Sequence, residues 1–506
     1  MYPATIARTD PDRLAYVMAG SGAALTYLAL DRASNQLAQR LRLAGLVEGD
    51  TLLLVLENRI EWPVAVAAGM RSGLYVTPVN SHLRAAELEA LISEAKPAAV
   101  ITSPQLAATV SAALGDRPCV RLCVGGGAEG FLGFDDELAA MPTTPIPDES
   151  FGARVLYSGG TTGKPKAFRQ KLLGVHPAHA PARHGELMQR LGIGPSAVLL
   201  SPAPNYHAAP FTFQLATLTL GGTIVCLEKF DAAAAMRAIT DHGVTLSQWV
   251  PTMLIRLLDL HESGEVPLSA THRAAVTSGG PCSPEVKARI DQWWGPILHE
   301  YYGGSEGYGH TYISPWEARE RVGSVGRPLG ATRVHVTDGD GTELPANAVG
   351  TVWFEAVAGQ QYVNQSDASP TARAGWKSMG DLGTLDDDGF LYLKGREGYT
   401  IVSGGVNIYP DEVEAVLQSH PLVRDVVVLG EPNAEFGEQV LAVVELAADA
   451  GETASESDVE AQLIAHAREH LATFKAPKRV MIVSSLPRLP TGKLNKKALQ
   501  DELLTA

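Results

Sequence analysis

The chain has 506 residues, 45% hydrophobic and 19% charged, and a net charge of −15. That length supports two or three domains around a large core, and the acidic balance argues against a nucleic-acid-binding surface, which would be basic. Four cysteines, Cys119, Cys123, Cys226 and Cys282, exclude a disulfide framework in so long a chain and read as core thiols. The stretch Met1 to Asp12 lacks a secretory apolar core, and no apolar run is long enough to span a membrane. The expectation is a soluble, cytoplasmic protein.

From Thr26 to Pro147 strand and helix patterns alternate. Thr51–Leu56, Leu74–Val79 and Ala98–Thr102 read as buried strands, and Glu61–Met70 as an Ala/Val-rich helix. Such alternation predicts a mostly parallel sheet covered on both faces. Met141–Glu149, rich in proline and acid, reads as a linker. Next comes the apolar run Ala153–Leu156 and then Tyr157-Ser158-Gly159-Gly160-Thr161-Thr162-Gly163-Lys164-Pro165-Lys166. Glycines, hydroxyls and two lysines after a strand suit a polyphosphate, with backbone N–H groups and ammoniums meeting the oxygens. The loop is not a Walker A sequence, since Ser158 stands where the first glycine belongs and Pro165 follows Lys164.

His176, His179 and His184 follow, but Pro177 and Pro181 break any helix that would align them, so no metal site is expected there. Strand-like runs return at Val198–Leu200 and Thr223–Leu227, with Pro204–Pro210 and an apolar helix-like segment between them. Leu246–Val250, a helix from Thr252, and Ala274–Thr277 continue the βα alternation. From Gly323 to Phe354 the period shortens to two, predicting a small antiparallel sheet or barrel. Beyond the glycine-rich stretch Gly395–Gly405 the pattern gives a helix (Pro410–Ser419), two strands (Val423–Leu429, Val440–Leu446), a helix (Ser455–His470) and a strand (Arg479–Val483). That is a compact α+β unit of domain size.

The phosphate-loop sequence resembles that of the adenylate-forming superfamily: acyl-CoA synthetases, luciferases and peptide-synthetase adenylation domains. Ala167 replaces the glycine usual after the last lysine. Four further segments resemble family signatures in the same order. Tyr301-Tyr302-Gly303-Gly304-Ser305-Glu306 is similar to the aromatic-glycine-acid signature, which implies Tyr302 against adenine and Glu306, with Thr161, at Mg²⁺. Gly380-Asp381 resembles the ribose-binding signature, with Met379 in place of threonine, and Arg396 matches a second ribose contact. Ile401–Pro410 matches the glycine-turn signature, which implies Gly404, Gly405 and Asn407 along the CoA channel. Leu486–Leu494 resembles the C-terminal signature, which makes Lys493 the catalytic lysine. A weaker match, Ser278-Gly279-Gly280-Pro281, implies further adenine-pocket residues.

The resemblance implies an α/β fold: a large N-terminal domain (1–394) of layered, mostly parallel sheets with a small barrel-like part, and a small mobile α+β C-terminal domain (395–506). It implies ATP-dependent activation of a carboxylic acid to an acyl-adenylate, then transfer to the thiol of CoA. Ser158, Gly159, Gly160, Thr161, Thr162, Gly163, Lys164 and Lys166 would hold the phosphates. Gly279, Gly280, Pro281, Tyr301–Ser305, Asp381 and Arg396 would hold the nucleoside. Tyr206, His207, Trp249, Pro251 and Thr252 would line an apolar acyl pocket, His207 either gating it or contacting the reacting carboxylate. The hinge falls at Gly398, where the family commonly has Asp or Lys. The implied partners are the acid, ATP, Mg²⁺ and CoA, with no nucleic acid, in a monomer or homodimer. Transfer to an amine or a carrier-protein thiol is the nearest alternative. A non-catalytic nucleotide-binding protein is the alternative of another class, against which Lys493, Glu306 and Asp381 argue.

Overall fold

A computed structural model describes residues 1–159, 165–180, 185–264, 267–280, 282, 284–304, 306–355, 375–396, 401–408, 410–447, 455–487, 499–500 and 503. The chain divides into two compact units. The first holds Met1–Ser81, Ile92–Ser158 and Ala167–Gly395; the second holds His82–Leu91, Gly159–Lys166 and Arg396–Ala506.

Among the described residues, two large sheets build the first unit. One runs in the order Leu132–Gly133, Val120–Cys123, Ala99–Thr102, Thr51–Val55, Tyr75–Pro78, Ala153–Gly159, Pro165–Arg169. Its central pairs are parallel, with Leu53 opposite Thr77 and Val100. Thr51–Val55 is buried at every position, as a strand covered on both faces should be.

The other large sheet has nine strands, with the order Thr223–Cys226, Val198–Ser201, Leu246–Trp249, Ala274–Thr277, Leu298–Tyr302 at its heart. Alternation along these strands separates two cores. Leu199, Ile224, Leu246 and Val276 join one core with the helices Tyr27–Leu43, Trp62–Arg71 and Ala208–Thr219 and with Leu52 and Leu54 of the first sheet. Leu200, Val225, Trp249 and Ala275 face the other way, against the helices Ala232–Asp241, Pro251–Glu262 and Pro284–Trp294.

Two elements at the N-terminus carry no strong local signal. The strand Leu14–Met18 pairs in parallel with Thr223–Cys226, Tyr16 opposite Ile224. The helix Tyr27–Leu43 starts at Thr26, whose side chain accepts from Ala29 N, and Tyr27 donates to Gly222 O at 2.7 Å. Cys119 is a correction to the core-thiol reading: it is half-buried, just before a strand near the sheet edge, whereas the other three thiols are buried.

The period-two region forms a sheet in the order Arg333–Thr337, Gly350–Glu355, Trp376–Leu385, Leu391–Arg396, with its first two pairings antiparallel. In the second unit, Val423–Asn433 pairs antiparallel with Gly437–Leu446, and Arg479–Val483 joins the latter in parallel. Val426, Val428, Ala442 and Val444 face the helices Pro410–Gln418 and Glu456–His470 through Val413, Leu417, Leu463 and Ala467. Val427, Leu429, Leu441 and Val443 face Leu486 and Leu499 on the other side.

Candidate active site

The strands Ala274–Thr277 and Leu298–Tyr302 are parallel neighbours, with Thr277 opposite Glu300. Ser278 therefore leaves the sheet beside Tyr301, whose strand runs on to Tyr302, at the carboxyl end where open parallel sheets bind ligands. Alternation turns Glu300 and Tyr301 to opposite faces. Glu300 is 4% exposed and accepts a 2.7 Å hydrogen bond from Lys287 Nζ of the helix Pro284–Trp294. Burial pushes its carboxyl up, and the Lys287 ammonium draws it back down. This ion pair anchors the base of the segment. Tyr301 faces the core between the large sheets, its ring 6.0 Å from Phe213 and 5.7 Å from His310.

Tyr302 packs on Phe354 at 5.9 Å, and its phenol donates to Asp381 Oδ2 at 2.5 Å. Asp381 is 5% exposed. A bulge brings it there. Trp353 pairs with Ser378 and Thr351 with Leu382, so Met379, Gly380 and Asp381 all oppose Val352. Gly380 takes φ +78° and donates its N–H to Ser378 Oγ at 2.9 Å. Bulges of this kind re-aim side chains next to binding sites. At Gly304 a Cβ would collide with the Glu306 carboxylate and the Met379 sulfur, so glycine is what lets both groups close on the backbone. Tyr302, Gly303, Gly304, Glu306 and Asp381 thus come together, with Met379 beside them. Gly279 (φ +84°) and Gly280 end the neighbouring strand.

Tyr206 and His207 sit at the start of the helix Ala208–Thr219, their rings 4.6 Å apart. Burial pushes the Tyr206 phenol up. A buried amide network holds their loop. Asn58 Nδ2 donates to Ala203 O (3.1 Å) and Leu227 O (2.7 Å), and Asn58 Oδ1 accepts from Asn205 N (2.8 Å). Asn205 Oδ1 accepts from Gln214 Nε2 (2.6 Å), and Asn205 Nδ2 donates to Tyr16 (3.0 Å).

Trp249 is not brought to this group. It is fully buried on the opposite face of the nine-stranded sheet, donating to Ser247 Oγ at 2.5 Å and packing 5.9 Å from Trp294. Pro251 and Thr252 open the following helix, Pro251 buried and Thr252 half-buried. In the second unit Gly404 (φ +58°) and Gly405 (φ +78°) link the paired strands Ile401–Ser403 and Val406–Ile408. Positive φ at both positions makes this a type I′ hairpin turn, which glycine adopts without strain. Gly160, Thr161, Thr162, Gly163, Lys164, Pro281, Ser305, Gly398 and Lys493 lie outside the described residues, as do the side chains of Ser158, Lys166, Arg396 and Asn407.

Asn58, Asn205 and Gln214 were not singled out from the sequence, because lone amides in apolar runs carry no local signal.

The arrangement offers an acceptor-only carboxylate suited to a vicinal diol at Asp381 and an aromatic ring beside it at Tyr302. Glu306 offers a hard oxygen donor. Magnesium is held by one or two carboxylates together with substrate phosphates, so a single protein carboxylate fits that role.

The model of the AMP-binding enzyme family matches residues 4–361, and that of the AMP-binding enzyme C-terminal domain matches residues 412–493. The chain is 28% identical to long-chain-fatty-acid–CoA ligase FadD13 of Mycobacterium tuberculosis, over 98% of this chain and 96% of that one. It is 30% identical to 2-succinylbenzoate–CoA ligase of Bacillus licheniformis, over 97% and 98%. Among solved structures, amide bond synthetase McbA from Marinactinospora thermotolerans superimposes with a TM-score of 0.85 at 27% identity, covering 99% of this chain and 100% of that one. The chain is an adenylate-forming ligase and belongs to the AMP-binding enzyme family.

Proposed function

We propose that this enzyme activates a carboxylic acid with an apolar body and passes the acyl group to CoA, giving acyl-CoA, AMP and pyrophosphate. The observation that carries the reading is the convergence of Tyr302, Asp381, Gly304 and Glu306 at the carboxyl end of a parallel sheet.

Asp381 accepts the ribose hydroxyls while Tyr302 braces that carboxylate and lies against the base. One carboxylate oxygen of the acid attacks the α-phosphorus of ATP. The bond from that phosphorus to the bridging oxygen breaks, and pyrophosphate leaves. Charge grows on the α-phosphate, where the loop Ser158–Lys166 and Lys493 supply donors and positive charge. Glu306 would hold magnesium, which would supply charge neutralisation at the phosphates. In the second step the CoA sulfur attacks the acyl carbonyl, the carbonyl–phosphate oxygen bond breaks, and AMP leaves as the thiol proton passes to solvent. The Gly404–Gly405 turn serves this step, with a hinge at Gly398. Tyr206 and His207, with Pro251 and Thr252, lie toward the acid.

An amine acceptor is the second reading, favoured by the likeness to the amide bond synthetase. Pyrophosphate release with a panel of aliphatic, aromatic and steroid acids, with and without CoA, and with products weighed by mass spectrometry, separates the two. Acid-dependent release that rises with CoA and yields a thioester supports the proposal. Release without thioester, and amide formed on adding amines, overturns the CoA step alone.

A further inference from the structure

A buried ion pair stands beneath the two segments that the reading above assigns to the nucleoside. Those segments leave neighbouring parallel strands. Gly279 and Gly280 follow Ala274–Thr277, while Tyr302 closes Leu298–Tyr302 with Gly303 and Gly304 after it. The first segment runs on in sequence to the helix Pro284–Trp294, which carries Lys287. Lys287 Nζ donates to Glu300 Oε2 at 2.7 Å, and their side chains are 14% and 5% exposed. Glu300 lies two residues before Tyr302, on the same face of the strand. One hydrogen bond thus ties the helix that follows the first segment to the strand that delivers the second.

The surroundings make this pair costly. Trp249, Cys282, Val286, Ile290 and Leu298 belong to the apolar core on this face. Burial, and then the Glu300 carboxylate, push the Cys282 thiol up to about 12, so the thiol stays neutral beside the pair. Two charges taken out of water lose hydration that their attraction barely offsets, and an apolar pair of similar volume holds such a place as well or better. Stability therefore does not account for Lys287 and Glu300. An ammonium on a carboxylate supplies what an apolar contact lacks, a fixed separation and direction. The geometry downstream is tight enough to need both. The Tyr302 phenol meets Asp381 Oδ2 at 2.5 Å, and a Cβ at Gly304 would collide with the Glu306 carboxylate. A strand end free to slide against the helix would disturb both contacts.

We propose that Lys287 and Glu300 are a positioning pair for ATP. They set the gap between the two nucleoside segments and hold the Tyr302 phenol on Asp381, so they contribute to nucleotide affinity rather than to stability. This rests on the acid-activating reading, in which Tyr302 and Asp381 receive the nucleoside.

The test compares the full chain with the double variant Lys287→Met/Glu300→Leu, which puts an apolar pair in the same space. Calorimetry gives the Kd for ATP, pyrophosphate release gives KM for ATP and for the acid, and urea gives stability. The double variant is expected to keep the parent's urea midpoint. Its Kd and KM for ATP are expected to rise about tenfold, as for the loss of a hydrogen bond to a charged group, with the KM for the acid unchanged. In a Tyr302→Phe background the same double replacement is expected to weaken ATP binding less than in the parent, because both changes act on one contact. ATP affinity unchanged in the double variant, or full additivity with Tyr302→Phe, overturns the proposal. So does a double variant that loses its urea midpoint or does not fold, since the pair then serves folding. Pyrophosphate release from no acid would overturn the activating reading, while the Kd for ATP would still decide the role of the pair.

Discussion

Tyr302 and Asp381 act as a pair. The phenol donates to a carboxylate that is 5% exposed, and a hydrogen bond to a charged group contributes about 1.5–3 kcal/mol. Tyr302→Phe is therefore expected to raise KM for ATP about tenfold, measured by pyrophosphate release at saturating acid. An unchanged KM would remove the hydroxyl from the site. Gly304→Ala forces a methyl into the Glu306 carboxylate and the Met379 sulfur. Its adenylation rate is expected to fall by about tenfold or more, as oriented groups are displaced, with the melting temperature nearly retained. A large drop in melting temperature with normal turnover would mean that Gly304 serves packing alone. The glycines, Tyr302, Glu306 and Asp381 were legible in the sequence because their order and spacing form motifs. The Asn58–Asn205–Gln214 network was not, since Asn58 lies far from the other two in sequence and meets them only in the folded core.

At the scale of elements, strand alternation decides which residues share a pocket. Trp249 stands in a segment that the resemblance assigns to the acyl pocket, and its position in the strand turns it to the face opposite Tyr301, against Trp294 and Ser247. A one-dimensional reading cannot tell which face of a fully buried strand looks toward the ligand, because both faces are apolar. Trp249→Phe loses the donor to Ser247, and a stability loss of about 1–2 kcal/mol is expected. Chemical denaturation measures that loss. A raised acid KM without loss of stability would return Trp249 to the pocket. Central strands were legible as apolar runs. The strand Leu14–Met18 was not, because its partner lies some two hundred residues later, at Thr223–Cys226.

The same sheet sets how the molecule responds to acid. His272, 4% exposed and 2.7 Å from Ser247 Oγ, is held down to about 4 by burial, and burial also lowers His299 to about 4. The ordinary imidazole value is about 6.5. Between these values the unfolded chain binds protons that the native chain does not, so stability rises with pH there. These residues therefore stabilise the fold fully above about 6.5, and their contribution is lost as pH falls toward about 4. Urea midpoints are expected to drop between pH 7 and pH 5 in the parent, and to drop less in His272→Gln. Equal drops would place the sensitivity elsewhere. On the catalytic side, Lys493→Ala is expected to slow adenylation by about a hundredfold, and an unchanged rate would refute its assignment. Family models cover residues 4–361 and 412–493, so both units of the chain carry family sequence.

The central claim is reversible transfer of AMP to a carboxylate at the Tyr302–Asp381 site. The most direct measurement is acid-dependent exchange of labelled pyrophosphate into ATP, without CoA, in the parent and in Asp381→Ala. Exchange is expected in the parent with every acid that raises its melting temperature, and a loss of about a hundredfold in Asp381→Ala. Absence of exchange with all such acids, or equal exchange in the variant, would contradict the account.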